Sequence, residues 1–309
     1  MSTTNYKKYD IMASGDFMKD YVCKALAYND KVRIYAASST NLVEEARKTF
    51  GLWPTSCAAL GRTLTAAAII STNYKSNENL TVRFDGDGPL GEMLVEASNG
   101  YVRGFVSNAG VFMQYDNGHL AVGKAVGQGT MTIIKDLGLK EPFTTTINIQ
   151  TGEIADDFTY YFAASEQTPS AVGLGVLVET DNSCKAAGGF ILQLMPGCDD
   201  ETITKIENTL KNIKPVSEMV NDGLTPEEII KLLSGDEPYE ILDKQDIFYK
   251  CPCNKDQYYR GIKSLGKKEL QSIIDEIGSA EVTCNFCRKT YKFKRPELEE
   301  MIKEIDNKE

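Results

Sequence analysis

The chain has 309 residues, with 34 Lys+Arg against 44 Asp+Glu, 42% hydrophobic residues, eight cysteines and one histidine. That length suits two or three domains with a real core, and the composition is too apolar for a disordered chain. A formal charge of −10 argues against a surface built wholly for nucleic acid, and the lone His119 excludes paired-histidine metal sites and most triad chemistry.

The N-terminal MSTTNYKKYDIMASGDF lacks the apolar stretch of roughly 7–15 residues that marks a secretory leader. The longest apolar run, Leu60–Ile70, is interrupted by Arg62 and falls short of a membrane span. A cytoplasmic chain with no membrane partner is expected, and in a reducing compartment clustered cysteines point to metal or redox chemistry rather than structural disulfides.

Lys31–Ser38 alternates as a strand, and Thr40–Phe50 and Ser56–Asn73 carry helical spacing with alanine filling. Leu80–Phe84, Met93–Ala97 and Tyr101–Ser107 read as strands parted by GDGPLG and SNG turns, which predicts an antiparallel meander. Thr144–Ile149 is β-rich, Asp156–Ala164 is a predicted helix, and Gly173–Glu179 and Gly188–Met195 add two strands.

The character changes after Pro196-Gly197. Glu201–Ile213 places Ile203, Ile206, Leu210 and Ile213 on one helical face. Thr225-Pro226-Glu227-Glu228 supplies an N-cap, a first-turn proline and a capping-box glutamate ahead of IIKLL, with Gly235 as the stop. Helices this short are marginal alone, so they are expected to stay folded only while docked. The expected architecture is therefore α+β: a mixed α/β core domain with a largely antiparallel sheet over residues 1–196, a helical linker over 197–236, and a small C-terminal zinc-binding module over 237–309. That module is predicted to hold a helix over Lys267–Ile277, a β-like segment over Glu281–Phe293 and a last helix opened by Pro296. Its few large apolar groups make a thin core that calls for a staple.

Cys251-Pro-Cys253 and Cys284-Asn-Phe-Cys287, thirty residues apart, offer four thiolates to one tetrahedral Zn2+ ion. With all four ligand places filled by protein, no open catalytic position is implied. A structural staple and a redox sensor both fit this set. Metal binding in such modules is worth about 10–16 kcal/mol and is effectively their folding energy. Oxidation of the ligands is therefore a route to unfolding. Cys23, Cys57, Cys184 and Cys198 lie singly among apolar residues and read as inert buried thiols.

Three other features carry less. Gly86-Asp-Gly88-Pro-Leu-Gly91 matches a dinucleotide fingerprint, but a strand-like GEMLVEA follows in place of the required helix, so a hairpin turn is expected. His119 follows the turn signature Asp116-Asn117-Gly118 with no nucleophile nearby, and reads as a surface histidine. Arg288–Arg295 holds five basic residues in eight, with Tyr291 and Phe293 interleaved. Residues 237–309 nevertheless carry 14 basic against 15 acidic side chains, a net of −1, which favours a solvated strand face over a nucleic-acid platform.

The cysteine pairs, GRTLTAAAI (61–69), FDGDGPLGEMLVEA (84–97), YVRGFV (101–106) and AGGFILQLMPG (187–197) together resemble the redox-regulated 33 kDa chaperonin (heat-shock protein 33) family over nearly the whole length. The resemblance implies an ATP-independent holdase, not an enzyme, that is inactive while reduced and zinc-bound. In that family peroxide with unfolding conditions, or hypochlorous acid, oxidises the four cysteines to two disulfides between sequence neighbours. Carried over, these are Cys251–Cys253 and Cys284–Cys287. Zinc is then lost, the module and linker unfold, and a dimeric form binds unfolding client proteins until reduction permits transfer to ATP-dependent foldases. Residues 1–196 are the family's client-binding and dimerisation domain. Two other readings stand beside it: a zinc-ribbon nucleic-acid-associated factor built on 288–295, and an α/β enzyme with an appended structural zinc module.

Overall fold

The computed structural model describes residues 19–75 and 77–306, so the sequence reading of the first seventeen residues lies outside the described residues. Strands β1 (Tyr21–Ala27) and β2 (Val32–Ser38) form a hairpin whose turn places Tyr28, Asn29 and Asp30 at positive φ. Helix α1 (Thr40–Phe50) follows and ends on Gly51 at φ 64. In α2 (Pro54–Ser71), all but Pro54 and Arg62 of the 18 residues are buried, the signature of a helix enclosed on every side. Next come β3 (Asn79–Gly86), β4 (Met93–Ser98) and β5 (Tyr101–Val106), the expected meander, then the short α3 (Val122–Val126), β6 (Gly129–Asp136) and β7 (Phe143–Asn148). Helix α4 (Ala155–Ala164) leads to β8 (Ser170–Val178) and β9 (Cys184–Leu194).

Three helices fill the predicted linker: α5 (Asp200–Asn212), α6 (Val216–Asn221) and α7 (Pro226–Ser234). The rest comprises β10 (Tyr239–Asp246), β11 (Phe248–Tyr249), α8 (Lys255–Lys263), α9 (Lys267–Glu276), β12 (Ser279–Thr283), β13 (Thr290–Lys294) and α10 (Arg295–Asp306).

One sheet runs β10-β1-β2-β9-β8 and the second β11-β5-β4-β3-β6-β7, antiparallel throughout except for β11 beside β5. Helix α2 packs against strands of both, so the main apolar core lies between the two sheets with this helix at its centre. The outer face of the five-stranded sheet carries a second core, which α5, α6 and α7 cover with Ile206, Val216, Met219, Val220, Ile229, Ile230 and Leu233. Close seating of α6 depends on Gly175 of β8, where a Cβ would lie 2.4 Å from the Ser217 backbone nitrogen. The linker helices are docked as expected, with one difference in detail. Leu232 is 44% exposed, because Ile229, Ile230 and Leu233 define the inward face of α7.

The predicted start of the C-terminal module at residue 237 needs correction. Strand β10 pairs with β1 and β11 with β5, so residues 239–249 extend both sheets of the body. Six of the eight β10 side chains are exposed, which leaves no apolar alternation in the sequence and joins the strand to the sheet chiefly by its backbone. The independent C-terminal core begins with α8 and comprises α8, α9, α10 and the β12–β13 hairpin around Leu270, Phe293, Leu298 and Met301. No described helix is long and apolar enough to cross a membrane.

Candidate metal centre

Cys251 and Cys253 follow β11 directly, two residues apart in an irregular segment that ends where the Asn254 side chain caps α8 by accepting Gln257 N–H at 2.9 Å. Cys284 and Cys287 sit in the turn of the β12–β13 hairpin. That turn is closed by Cys284 N–H to Lys289 O and Arg288 N–H to Cys284 O, both 2.9 Å, with Arg288 at φ 57.

The two segments meet face to face. Cys251 Sγ lies 3.7 Å from Cys284 Sγ, Cys253 Sγ lies 3.4 Å from Cys287 Sγ, and all four sulfurs lie within 4.8 Å of one another. Thiolates held about 2.3 Å from a central ion in tetrahedral array stand about 3.8 Å apart, so the donor set and its spacing fit zinc. Cys284 is buried and the other three are half-buried.

Polar groups converge on the sulfurs. Arg103 Nη1 donates to Cys251 Sγ at 3.3 Å, and the Tyr291 hydroxyl lies 3.2 Å from Cys253 Sγ while donating to Cys253 O at 3.0 Å. Burial acts to raise the Cys284 thiol, but hydrogen bonds from the Tyr258 hydroxyl and from the backbone N–H groups of Phe286 and Cys287 outweigh it and bring it down to about 6. Burial, joined by the adjacent sulfurs, pushes Cys287 up to about 12. Four sulfurs this close repel one another as thiolates, so a fully anionic set calls for a cation among them. Sequence reasoning found the four cysteines and missed Arg103, Tyr258 and Tyr291, whose approach to sulfur depends on tertiary placement alone.

Three of the remaining cysteines behave as expected of core thiols, whereas Cys198 is only half-buried at the edge of the second core, just ahead of α5, because it lies in the connection between β9 and that helix. Cys23 and Cys57 are fully buried, Cys184 is 7% exposed, and burial pushes Cys23 up to about 11. Cys184 is hydrogen-bonded to Cys57 and is raised by that contact and by burial. The glycine motif forms the β3–β4 hairpin, and a Cβ at Gly86 would lie 2.0 Å from Val126 O, so its glycines accommodate the chain's own backbone. His119 is exposed beside the turn closed by Gly118 N–H to Tyr115 O. In the 288–295 segment Tyr291 and Phe293 point into the C-terminal core, leaving no aromatic stacking platform, while Lys292 and Arg295 pair with Glu281 and Glu299.

Residues 20–294 match the model of the Hsp33 protein family. The 33 kDa chaperonin of Bacillus licheniformis is 49% identical over 289 residues, covering 93% of this chain and all of that protein. Its Bacillus subtilis counterpart is 50% identical over 283 residues, covering 91% and 97%. Among solved structures, the crystal structure of the 33 kDa chaperonin (heat shock protein 33 homolog) of Thermotoga maritima superposes with a TM-score of 0.87 at 33% identity, covering 94% of this chain and 99% of that one.

Proposed function

Because this chain belongs to the Hsp33 protein family, we propose that it is an ATP-independent holdase and not an enzyme, held inactive while reduced and switched on by oxidation of its own cysteines. The observation that carries the reading is the gathering of Cys251, Cys253, Cys284 and Cys287 at the junction between the body and a C-terminal unit with a thin core.

These four thiolates would hold one Zn2+. When bound, zinc supplies a crosslink between the two cysteine segments, worth about 10–16 kcal/mol in modules of this kind. The switch itself is chemistry of the sulfurs. A thiolate attacks a peroxide, the O–O bond breaks, and the sulfur leaves as a sulfenic acid with release of hydroxide. A second thiolate displaces the sulfenic hydroxyl and closes the S–S bond. The two thiolates give up two electrons as each disulfide forms, and with two protons these turn one peroxide into two waters. The pairs proposed are Cys251–Cys253 and Cys284–Cys287. The shortest sulfur contacts in the folded unit run instead between Cys251 and Cys284 and between Cys253 and Cys287, so the neighbour pairing goes with loosening of the unit.

With the ligands consumed, seven buried apolar residues in the C-terminal core are too few to hold it. Residues 239–249, continuous with Cys251, lose their anchor, and α5–α7 lose a neighbour. The apolar faces then uncovered, Ile203, Ile206, Leu210, Ile213, Ile229, Ile230 and Leu233, together with the already exposed Leu232 and the sheet beneath, are the proposed surface for unfolding clients, bound by a homodimer in the cytoplasm. The test replaces Ile206, Ile229, Ile230 and Leu233 by Ser and assays the oxidised protein against an aggregating client. Loss of suppression is expected; undiminished suppression would place client binding elsewhere.

A further inference from the structure

We propose that Arg103 is the positioning residue that couples the state of Cys251 to the docking of the cysteine unit on the six-stranded sheet, an inference that rests on the redox reading above. Arg103 stands on β5 opposite Glu96 of β4, and its Nε and Nη2 grip Glu96 Oε2 at 2.8 and 2.5 Å. This anchor leaves Nη1 directed at Cys251 Sγ, 3.3 Å away, and lays the guanidinium 4.1 Å from the centre of the Phe286 ring. One side chain thus touches both cysteine segments, through Cys251 in the first and through the residue between Cys284 and Cys287 in the second.

The two residues after Arg103 complete the dock. The Tyr249 hydroxyl lies 2.9 Å from Gly104 O and 2.6 Å from Phe286 O, and Phe105 meets Phe286 edge to face at 5.5 Å and 72°. Beyond these contacts, β11 adds only two residues of parallel pairing at the same strand. Around them lie the Lys250 ammonium 4.2 Å from the centre of the Tyr101 ring, Phe248 beside Tyr101 at 6.1 Å, and the Arg288 guanidinium 5.2 Å from the centre of the Phe50 ring, none of which touches a cysteine sulfur through Arg103.

Arginine stays charged at all relevant pH and donates through a planar fork, and an anionic acceptor adds a Coulomb attraction that a neutral acceptor lacks. While Cys251 is a thiolate, Arg103 sits between two anions, Glu96 and sulfur, with an aromatic face below. When the two-electron oxidation described above turns Cys251 into half of a disulfide, the sulfur becomes neutral and that contact weakens. Formation of the Cys284–Cys287 disulfide, which takes a second peroxide, moves the Phe286 turn. The two grips of Arg103 are therefore lost to the two oxidations, one to each, and the release passes along the chain to β11 and then β10.

The test uses the full-length, reduced, zinc-loaded protein with Arg103→Ala and Arg103→Lys, the latter keeping the charge without the fork. Zinc content, hydrogen exchange of peptides across 239–251, and the peroxide dose at which holdase activity appears are measured together. Arg103→Ala is expected to retain its zinc yet exchange about tenfold faster across 239–251, equivalent to about 1.4 kcal/mol. It is also expected to switch at a lower dose, with Arg103→Lys in between and exchange across β6 and β7 unchanged. Wild-type exchange and dose overturn the proposal, and so does loss of zinc from the reduced variant, which would make Arg103 part of site assembly. If Arg103→Ala does not fold, Phe286→Leu is judged by the same criteria. A wild-type protein that releases zinc without becoming a holdase refutes the functional reading itself, whatever the variants do.

Discussion

The sulfurs of Cys253 and Cys287 stand 3.4 Å apart although 34 residues separate them along the chain. Between them lie α8, α9 and β12, so whatever joins the sulfurs closes a loop around most of the C-terminal core. Removing zinc from the reduced protein with a strong chelator is expected to unfold residues 255–306 and leave the two-sheet body intact. Far-UV circular dichroism should lose the signal of α8, α9 and α10, while hydrogen exchange at α2 stays slow. An unchanged spectrum after complete metal removal would mean that Leu270, Phe293, Leu298 and Met301 suffice on their own.

Thr225 and Glu228 form a reciprocal cap on α7, with Glu228 N–H to Thr225 Oγ1 at 3.3 Å and Thr225 N–H to Glu228 Oε2 at 2.8 Å. Thr225→Ala should weaken the helix by about 1 kcal/mol. Faster hydrogen exchange confined to 226–234, with the global unfolding midpoint nearly unchanged, is the outcome to look for. A uniform loss of stability would show that α7 unfolds only with the whole body.

Ile230 is fully buried in the core between α7 and the five-stranded sheet. Ile230→Ala should destabilise this docking by about 2–5 kcal/mol, since both transfer energy and a cavity are lost. The reduced variant is expected to bind a hydrophobic dye and to need less oxidant for activation. Dye binding and an oxidant threshold equal to those of the wild type would detach the linker from the switch.

Asp20 is 6% exposed at the start of α1, where it accepts Leu42 N–H at 2.6 Å and the Asn41 side-chain amide at 3.1 Å. Burial outweighs these hydrogen bonds and raises its carboxyl from 3.8 to about 6. Between those values the folded chain binds more protons at this site than the unfolded chain does. Stability from this group therefore falls as pH rises from about 4 to about 6, and stays lower above, by on the order of 3 kcal/mol. Asp20→Asn keeps an acceptor and removes the titration. Urea midpoints of the variant should lack that fall and exceed the wild type at pH 7; parallel pH profiles would refute the assignment.

What was legible in the sequence divides along physical lines. The meander over β3, β4 and β5 alternates cleanly because one face is buried, and the α7 cap is written in Thr225, Pro226 and Glu228. The cysteine pairs were legible because four thiols at such spacing have few other uses. Strand β1 was not, since Lys24, Ala25, Leu26 and Ala27 favour a helix as readily and only pairing with β2 and β10 decides. In β6 the inward Met131 and Ile133 are masked by the flanking Gly127 and Gly129 and by Ile134. Strand β10 carries no pattern because its neighbours hold it by backbone, and this set the module boundary too early. Arg103 lies nearly 150 residues from Cys251 in sequence, with a separation of 148, and no local rule could join them.

Whether consuming four sulfurs turns a folded, inactive protein into a holdase is decided in a single sample of reduced, zinc-loaded protein treated with hydrogen peroxide at mildly raised temperature. Zinc release, far-UV circular dichroism and light scattering from a heat-aggregating client are followed together. Zinc release, loss of helical signal and suppression of scattering are expected in step, all reversed by a dithiol reductant with zinc. Zinc retained throughout the oxidation, or released while the client aggregates as fast as before, would contradict the switch.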